Sequence, residues 1–167
     1  MKNIFLLLSL VCSLALSAQK VGCVDTKYIL DNIPEYKSAQ NTLEKIALDW
    51  QKEIEVKKTA IDQLYKNYQA DKILLSQEMR TKKEQEIEKS EQELQDLQEK
   101  YFGKDGDLFK EREKLVKPIQ DKVFSAVKTL AESKGYSLII DKAGSTSVLY
   151  VSSKNEHSND ILKQLGH

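Results

Sequence analysis

The apolar positions of this chain change their spacing several times, and each change predicts a different element. Residues 4–16 form a nearly unbroken apolar run behind Lys2. Residues 21–25 make a short apolar block of strand length. From residue 36 to about residue 102 the apolar side chains thin out to a seven-residue repeat in a charged background. Beyond residue 107 a dense apolar face returns, followed by two β-like blocks and a final amphipathic stretch.

The middle of the chain lacks Gly and Pro from residue 35 to residue 102 and consists mainly of good helix formers. One seam position of the repeat carries Ala47, Ile54, Ile61, Tyr68 and Leu75. Its companion carries Leu43, Trp50, Lys57, Leu64 and Asp71, so the stripe is thin. The apolar patch at 72–76 interrupts it, and Ser76 followed by Glu78 and Met79 has the form of a helix restart. The second segment keeps a thin seam of Ile87, Leu94, Leu97 and Tyr101. At 1.5 Å per residue each segment reaches roughly 50 Å. An antiparallel helical hairpin with its tip near 72–76 lets each stripe cover the other. One uninterrupted helix dimerising in parallel satisfies the same periodicity. The β-like blocks at both ends favour the hairpin, which returns the chain to its start.

Gly103 and Gly106 predict a kink or short break in the returning helix. After it, Leu108, Leu115, Ile119, Val123, Val127 and Leu130 form a strong apolar face, within which Pro118 marks a kink or a helix start. Gly135 is a natural helix terminator. Residues 136–140 and 148–151 are strand candidates, expected to pair as a β-hairpin, and residues 155–165 close the chain as a short helix. At the other end, residues 21–25 predict a strand and Asp25 or Thr26 caps a brief helix that Pro34 breaks. Two or three short strands cannot cover their own faces and edges, so oligomerisation is expected. The predicted class is α+β, mostly α, with a small β body shared in an oligomer and a long coiled-coil-like arm. The expected divisions are a signal peptide at 1–18, body at 19–38, arm at 39–106, and body again at 107–167.

Composition sharpens this picture. The 167 residues contain 26 Lys plus Arg and 26 Asp plus Glu, a balance that disfavours a basic nucleic-acid module. Lys2, the apolar run and the small residues Ser17 and Ala18 have the layout of a secretory signal peptide. Cleavage after Ala18 is preferred over cleavage after Ser17. A lipoprotein reading of Cys12 is disfavoured by Leu10 and Val11, and a retained anchor is the remaining alternative; the run is short for a membrane span. Removing residues 1–18 leaves 149 residues with 25 bases and 26 acids. Cys23 is then the sole cysteine, and packing is its expected role.

Candidates for chemistry are few. Asp25, Asp141 and Asp160 have no spacing that defines a carboxylate pair, and strand-end or cap roles are expected. His157 has Asp160 three residues on but no second imidazole except His167, so a surface or cap-region role is expected. The serines at 145, 147, 152 and 153 have no nucleophile elbow or Ser-His-Asp order around them. Trp50, Tyr65 and Tyr68 fall at helical seam or groove positions rather than on a base-stacking platform. No catalytic residue, cofactor, nucleotide or metal site is predicted.

Val21, Gly22, Cys23, Val24 and Asp25, with residues 28–36 from Tyr28 to Tyr36, resemble the start of the Skp/OmpH family of periplasmic chaperones, particularly its Bacteroidetes-type branch. The likeness continues through residues 74–79 near the tip, Phe102 and Gly103, residues 106–109, and residues 117–121. It closes with Gly135, Tyr136, residues 139–142 and residues 148–150. This resemblance implies a soluble periplasmic trimer shaped like a jellyfish, whose hairpin arms enclose a cavity for unfolded outer-membrane proteins. It implies an ATP-independent holdase with no cofactor, and a transient approach to the membrane surface. It supplies no compact motif, so the candidate client contacts come from the apolar pattern itself: Trp50, Ile54, Ile61, Tyr65, Tyr68, Leu75, Met79, Ile87, Leu94 and Tyr101. One departure stands out. The best-known relatives are strongly basic, whereas residues 36–117 here hold 17 bases and 18 acids, which weakens long-range steering of clients. The alternative function is an envelope structural or adaptor coiled coil binding a folded partner; a cryptic hydrolase or metal enzyme is a distant third.

Overall fold

The structure, a computed structural model, describes residues 20–144 and 147–167. The expected signal peptide and Ser145 lie outside the described residues. Seven elements follow in order: β1 (Val21–Val24), α1 (Thr26–Asp31), α2 (Pro34–Asp71), α3 (Gln77–Phe102), α4 (Asp107–Lys134), β2 (Leu138–Asp141) and α5 (Ser158–Leu165). They divide into two compact units. One comprises the chain up to Ile33 together with Gln120–His167, and the other is Pro34–Ile119. The helical unit therefore takes in more at both ends than residues 39–106.

In the first unit β1 lies parallel to β2, with Val21 opposite Leu138 and Val24 opposite Asp141. The expected β-hairpin between 136–140 and 148–151 is corrected here. β2 spends its pairing on β1, a parallel partner reached only through a long crossover, and residues 148–151 form no strand. Leu149 and Tyr150 are left exposed. The other edge of β1 is also engaged: the Cys23 amide donates to the Asn155 carbonyl at 2.7 Å, and the His157 amide donates to the Cys23 carbonyl at 2.9 Å. Gly22, Cys23 and Val24 are buried by this arrangement.

Asp25 ends the strand and caps α1, its carboxylate accepting the Tyr28 amide at 2.9 Å. The Asp25 amide in turn donates to Ser158 Oγ at 2.8 Å, tying the start of α1 to the start of α5. The two helices pack together, and Ile29 on α1 and Ile161 on α5 are both fully buried. Val123, Ala126 and Leu130, spaced three and four apart, make the buried face of the second half of α4. Gly135, at φ 66°, ends that helix in the left-handed region, and the Tyr136 amide closes the turn on the Ala131 carbonyl at 2.9 Å.

The second unit begins at Pro34, which opens the long helix α2 rather than only ending the brief one before it. Proline fits the first helical position, where its missing N–H has no intrahelical partner in any case. α2 stops at Asp71, and Ser76 caps α3 by accepting the Met79 amide at 3.3 Å. Pro118 sits inside α4. Between α3 and α4, the Gly103 amide donates to the Glu99 carbonyl at 2.8 Å, and a Cβ at Gly103 would lie 2.4 Å from that same oxygen. Only glycine fits there.

Candidate binding surface on the helical pair

α2 and α3 run antiparallel in constant register. Trp50 stacks on Tyr101 with centroids 4.5 Å apart, and Phe102 meets both rings edge-on. The Tyr101 hydroxyl donates to Glu53 Oε2 at 2.8 Å, Lys57 Nζ to Glu93 Oε2 at 2.8 Å, and the Tyr68 hydroxyl to Glu84. These carboxylates hold the Tyr101 and Tyr68 phenols above their ordinary range by stabilising the protonated form. Lys57 holds Glu93 below the usual carboxylate range through its hydrogen bond. The thin apolar stripe is thus supplemented by polar rungs at its weakest points, including the Lys57 position.

This geometry sorts the ten sequence candidates. Ile61, Tyr68, Ile87 and Tyr101 are buried. Trp50, Ile54, Leu75 and Leu94 are half-buried. Tyr65 and Met79 are exposed, each at 53%. The most exposed apolar side chains on the pair were absent from that set: Ile73 at 87% and Leu74 at 85% in the turn, then Val56 at 70% on α2. Their signal in the sequence is a negative one, since Val56 lies off the seven-residue seam and Ile73 and Leu74 lie where the seam is interrupted. Helical periodicity selects for mutual burial, so it finds residues that close a seam before residues that face solvent.

The residues weighed for catalysis have structural partners. Asp25 caps α1. Asp141 accepts from the Thr26 amide at 3.0 Å, the Thr26 hydroxyl at 2.6 Å and the Ala143 amide at 3.0 Å. Burial pushes its carboxyl up, but these donors outweigh burial and the net effect is a lowered pKa. Asp160 accepts from Lys134 Nζ and pairs with His157 Nδ1, each at 2.8 Å, and both partners hold it below the usual range.

The expected surface position of His157 is corrected: it is buried, with Nε2 2.7 Å from the Tyr136 hydroxyl. It does occupy the position before α5, although its side chain makes no cap hydrogen bond. Its backbone amide donates to the Cys23 carbonyl at 2.9 Å, which holds residue 157 against β1. Cys23 is buried and unbonded to sulfur, and burial pushes its thiol up. Among the described residues no group of three or more His, Cys, Asp or Glu is placed to hold a metal ion. No helix among them is long and apolar enough to cross a membrane.

Comparison with known proteins gives three findings. The model of the family described as "Outer membrane protein (OmpH-like)" matches residues 20–165. An uncharacterised protein of Aquifex aeolicus (strain VF5) is 31% identical over 165 residues, covering 99% of this chain and 96% of the relative. A crystal structure from Caulobacter crescentus CB15, described as a candidate outer membrane chaperone (OmpH-like), superposes with a TM-score of 0.69. The two sequences are 12% identical, and the match covers 89% of this chain and 85% of that one.

Proposed function

The chain belongs to the OmpH-like outer membrane protein family, and from that membership we propose that it is an ATP-independent periplasmic holdase for unfolded outer-membrane proteins. The observation that carries this reading is the placement of apolar side chains on the helical pair. Val56, Tyr65, Ile73, Leu74 and Met79 stay exposed on a scaffold whose own seam is already closed. Such contacts are individually weak and spread along α2, the turn and α3, which suits retention of a non-native chain and its release without nucleotide. The half-buried Trp50, Ile54, Leu75 and Leu94 add to this surface at its margins.

The working form is a homotrimer in which three small β bodies complete one another and three helical hairpins enclose a cavity. The exposed Leu149 and Tyr150 and the small core of each body support that assembly. It acts in the periplasm after cleavage behind Ala18, with no cofactor and no nucleic-acid partner, and comes transiently near the membrane surface. The stretches at 21–25 and 28–36 support placement in the Bacteroidetes-type branch. The test is light scattering as a denatured outer-membrane β-barrel is diluted with and without the mature protein. Suppressed aggregation at a molar excess of trimer is expected; undiminished aggregation, with a native partner bound instead, overturns the reading in favour of an adaptor.

A further inference from the structure

The chain reverses between α2 and α3 without a residue that dictates where. Ser76 caps α3, but residues 35–102 include no Gly or Pro, so no turn geometry forces the reversal at 72–76 rather than two residues earlier. The apolar stripe does not supply the missing information. Sliding one helix by a turn along the other brings the same stripe back to the seam, and register then depends on polar groups within it. Polar pairs at three heights meet that need: Glu53 with Tyr101, Lys57 with Glu93, and Tyr68 with Glu84. Lys57 differs from the others in taking a seam position that the seven-residue repeat otherwise fills with Leu43, Trp50 and Leu64.

We propose that Lys57 and Glu93 determine the register of the helical pair, and that Lys89 rejects the neighbouring register. Lys57 Nζ donates to Glu93 Oε2 at 2.8 Å, with the two side chains 34% and 50% exposed. A pair so open to water adds little to stability, so its effect lies in the difference between registers. Lys89 stands one turn before Glu93 on α3, close enough to help hold that carboxylate below the usual range. When the turn migrates two residues toward the start of the chain, α3 slides by four residues and Lys57 meets Lys89 in place of Glu93. Attraction becomes repulsion. The same slide sets Tyr68 against Arg80 in place of Glu84 and parts the stacked rings of Trp50 and Tyr101. A slide in the opposite sense sets Lys57 against Leu97, which accepts no hydrogen bond. Register also decides which residues form the turn, where Ile73 and Leu74 now stand 87% and 85% exposed. Its bearing on client retention rests on the holdase reading.

The test is a distance measured within one chain of the mature protein by pulsed electron paramagnetic resonance. Nitroxides are attached through p-acetylphenylalanine at the exposed positions 66 on α2 and 98 on α3, which leaves Cys23 in place, and labelled chains are diluted among unlabelled ones. A slide that brings Lys57 to Lys89 lengthens the separation along the helices by about 6 Å, four residues of helical rise. The unsubstituted chain is expected to show the native distance alone. Lys57→Glu exchanges attraction and repulsion, and is expected to move the population to the longer distance. Lys89→Glu keeps the native pair and removes the rejecting charge, so both distances are expected; it answers the question even where Lys57→Glu unfolds the pair. Reversing all three charges (Lys57→Glu, Lys89→Glu and Glu93→Lys) is expected to restore the native distance alone, which a merely structural role does not predict. The native distance alone in both Lys57→Glu and Lys89→Glu, with helicity by circular dichroism unchanged, overturns the proposal, as does a triple variant left in the slipped register. Suppression of client aggregation is scored separately: its failure in the unsubstituted chain overturns the holdase and leaves the register result standing.

Discussion

The body unit can be tested at one residue. Ile161 on α5 is fully buried, as is Ile29 on the helix packed against it. Truncation to alanine removes three carbons, each worth about 0.8 kcal/mol of transfer free energy. The cavity left behind adds about 24 cal/mol per Å³ that does not collapse, which puts Ile→Ala substitutions at about 2–5 kcal/mol. Ile161 belongs in the upper half of that range, because its surroundings are anchored on two sides. The Asp25 amide bond to Ser158 fixes the start of α5, and the pairing of Cys23 with Asn155 and His157 fixes the segment before it. Ile161→Val removes one methylene and costs about 0.5–1.5 kcal/mol. Native-state hydrogen exchange at the amides of Cys23, Asp25 and His157 reads this directly, since all three are bonded within the unit. Their opening free energies are expected to fall together by the full alanine cost. A drop under about 1 kcal/mol, or a drop at Asp25 alone, would show that α5 is a peripheral flap and that the body core lies elsewhere.

Three further outcomes are expected. Gly103→Ala forces a Cβ to 2.4 Å from the Glu99 carbonyl oxygen; overpacking of this kind costs about 1–3 kcal/mol, visible as a lower urea midpoint in the fluorescence of Trp50, the only tryptophan. Asp160 and Asp141 both have folded pKa values below the ordinary carboxylate range, so the unfolded chain takes up their protons first. Their stabilisation is present above about pH 4 and is lost as pH falls through the lowered folded values; melting temperatures between neutral and acid pH should decline on that limb, and Asp160→Asn together with Asp141→Asn should flatten it. Ile73→Asp and Leu74→Asp alter side chains that are almost wholly exposed, so stability should change by less than about 0.5 kcal/mol while suppression of client aggregation weakens.

What the sequence discloses and what it withholds divide along a physical line. Local signals were legible: Ser76 as the start of the helix after 72–76, Gly103 and Gly106 as a break, Gly135 as a terminator, and Asp25 as one of two adjacent cap candidates. Each is settled by a few neighbouring backbone groups, and the structure places each accordingly. Non-local pairing was not legible. Residues 138–141 carry the same β-like composition whether they meet 148–151 a few residues on or 21–24 across most of the chain. Composition sets how well a strand pairs and leaves open with which partner. The place of His157 before α5 was legible and its burial was not, because the backbone hydrogen bond that holds it to Cys23 is encoded by no pattern around 157. On the helical pair the limit is subtler. The heptad reading finds the residues that hold α2 to α3, and an apolar side chain committed to that seam is withdrawn from any other partner. The exposed apolar surface is therefore drawn from what the periodicity discards: Val56 off the stripe, and Ile73 and Leu74 where the stripe is cut. A holdase of the kind proposed has to keep the side chains that close its thin stripe apart from those it offers to a client, and the exposed set at the interruptions of the repeat meets that requirement.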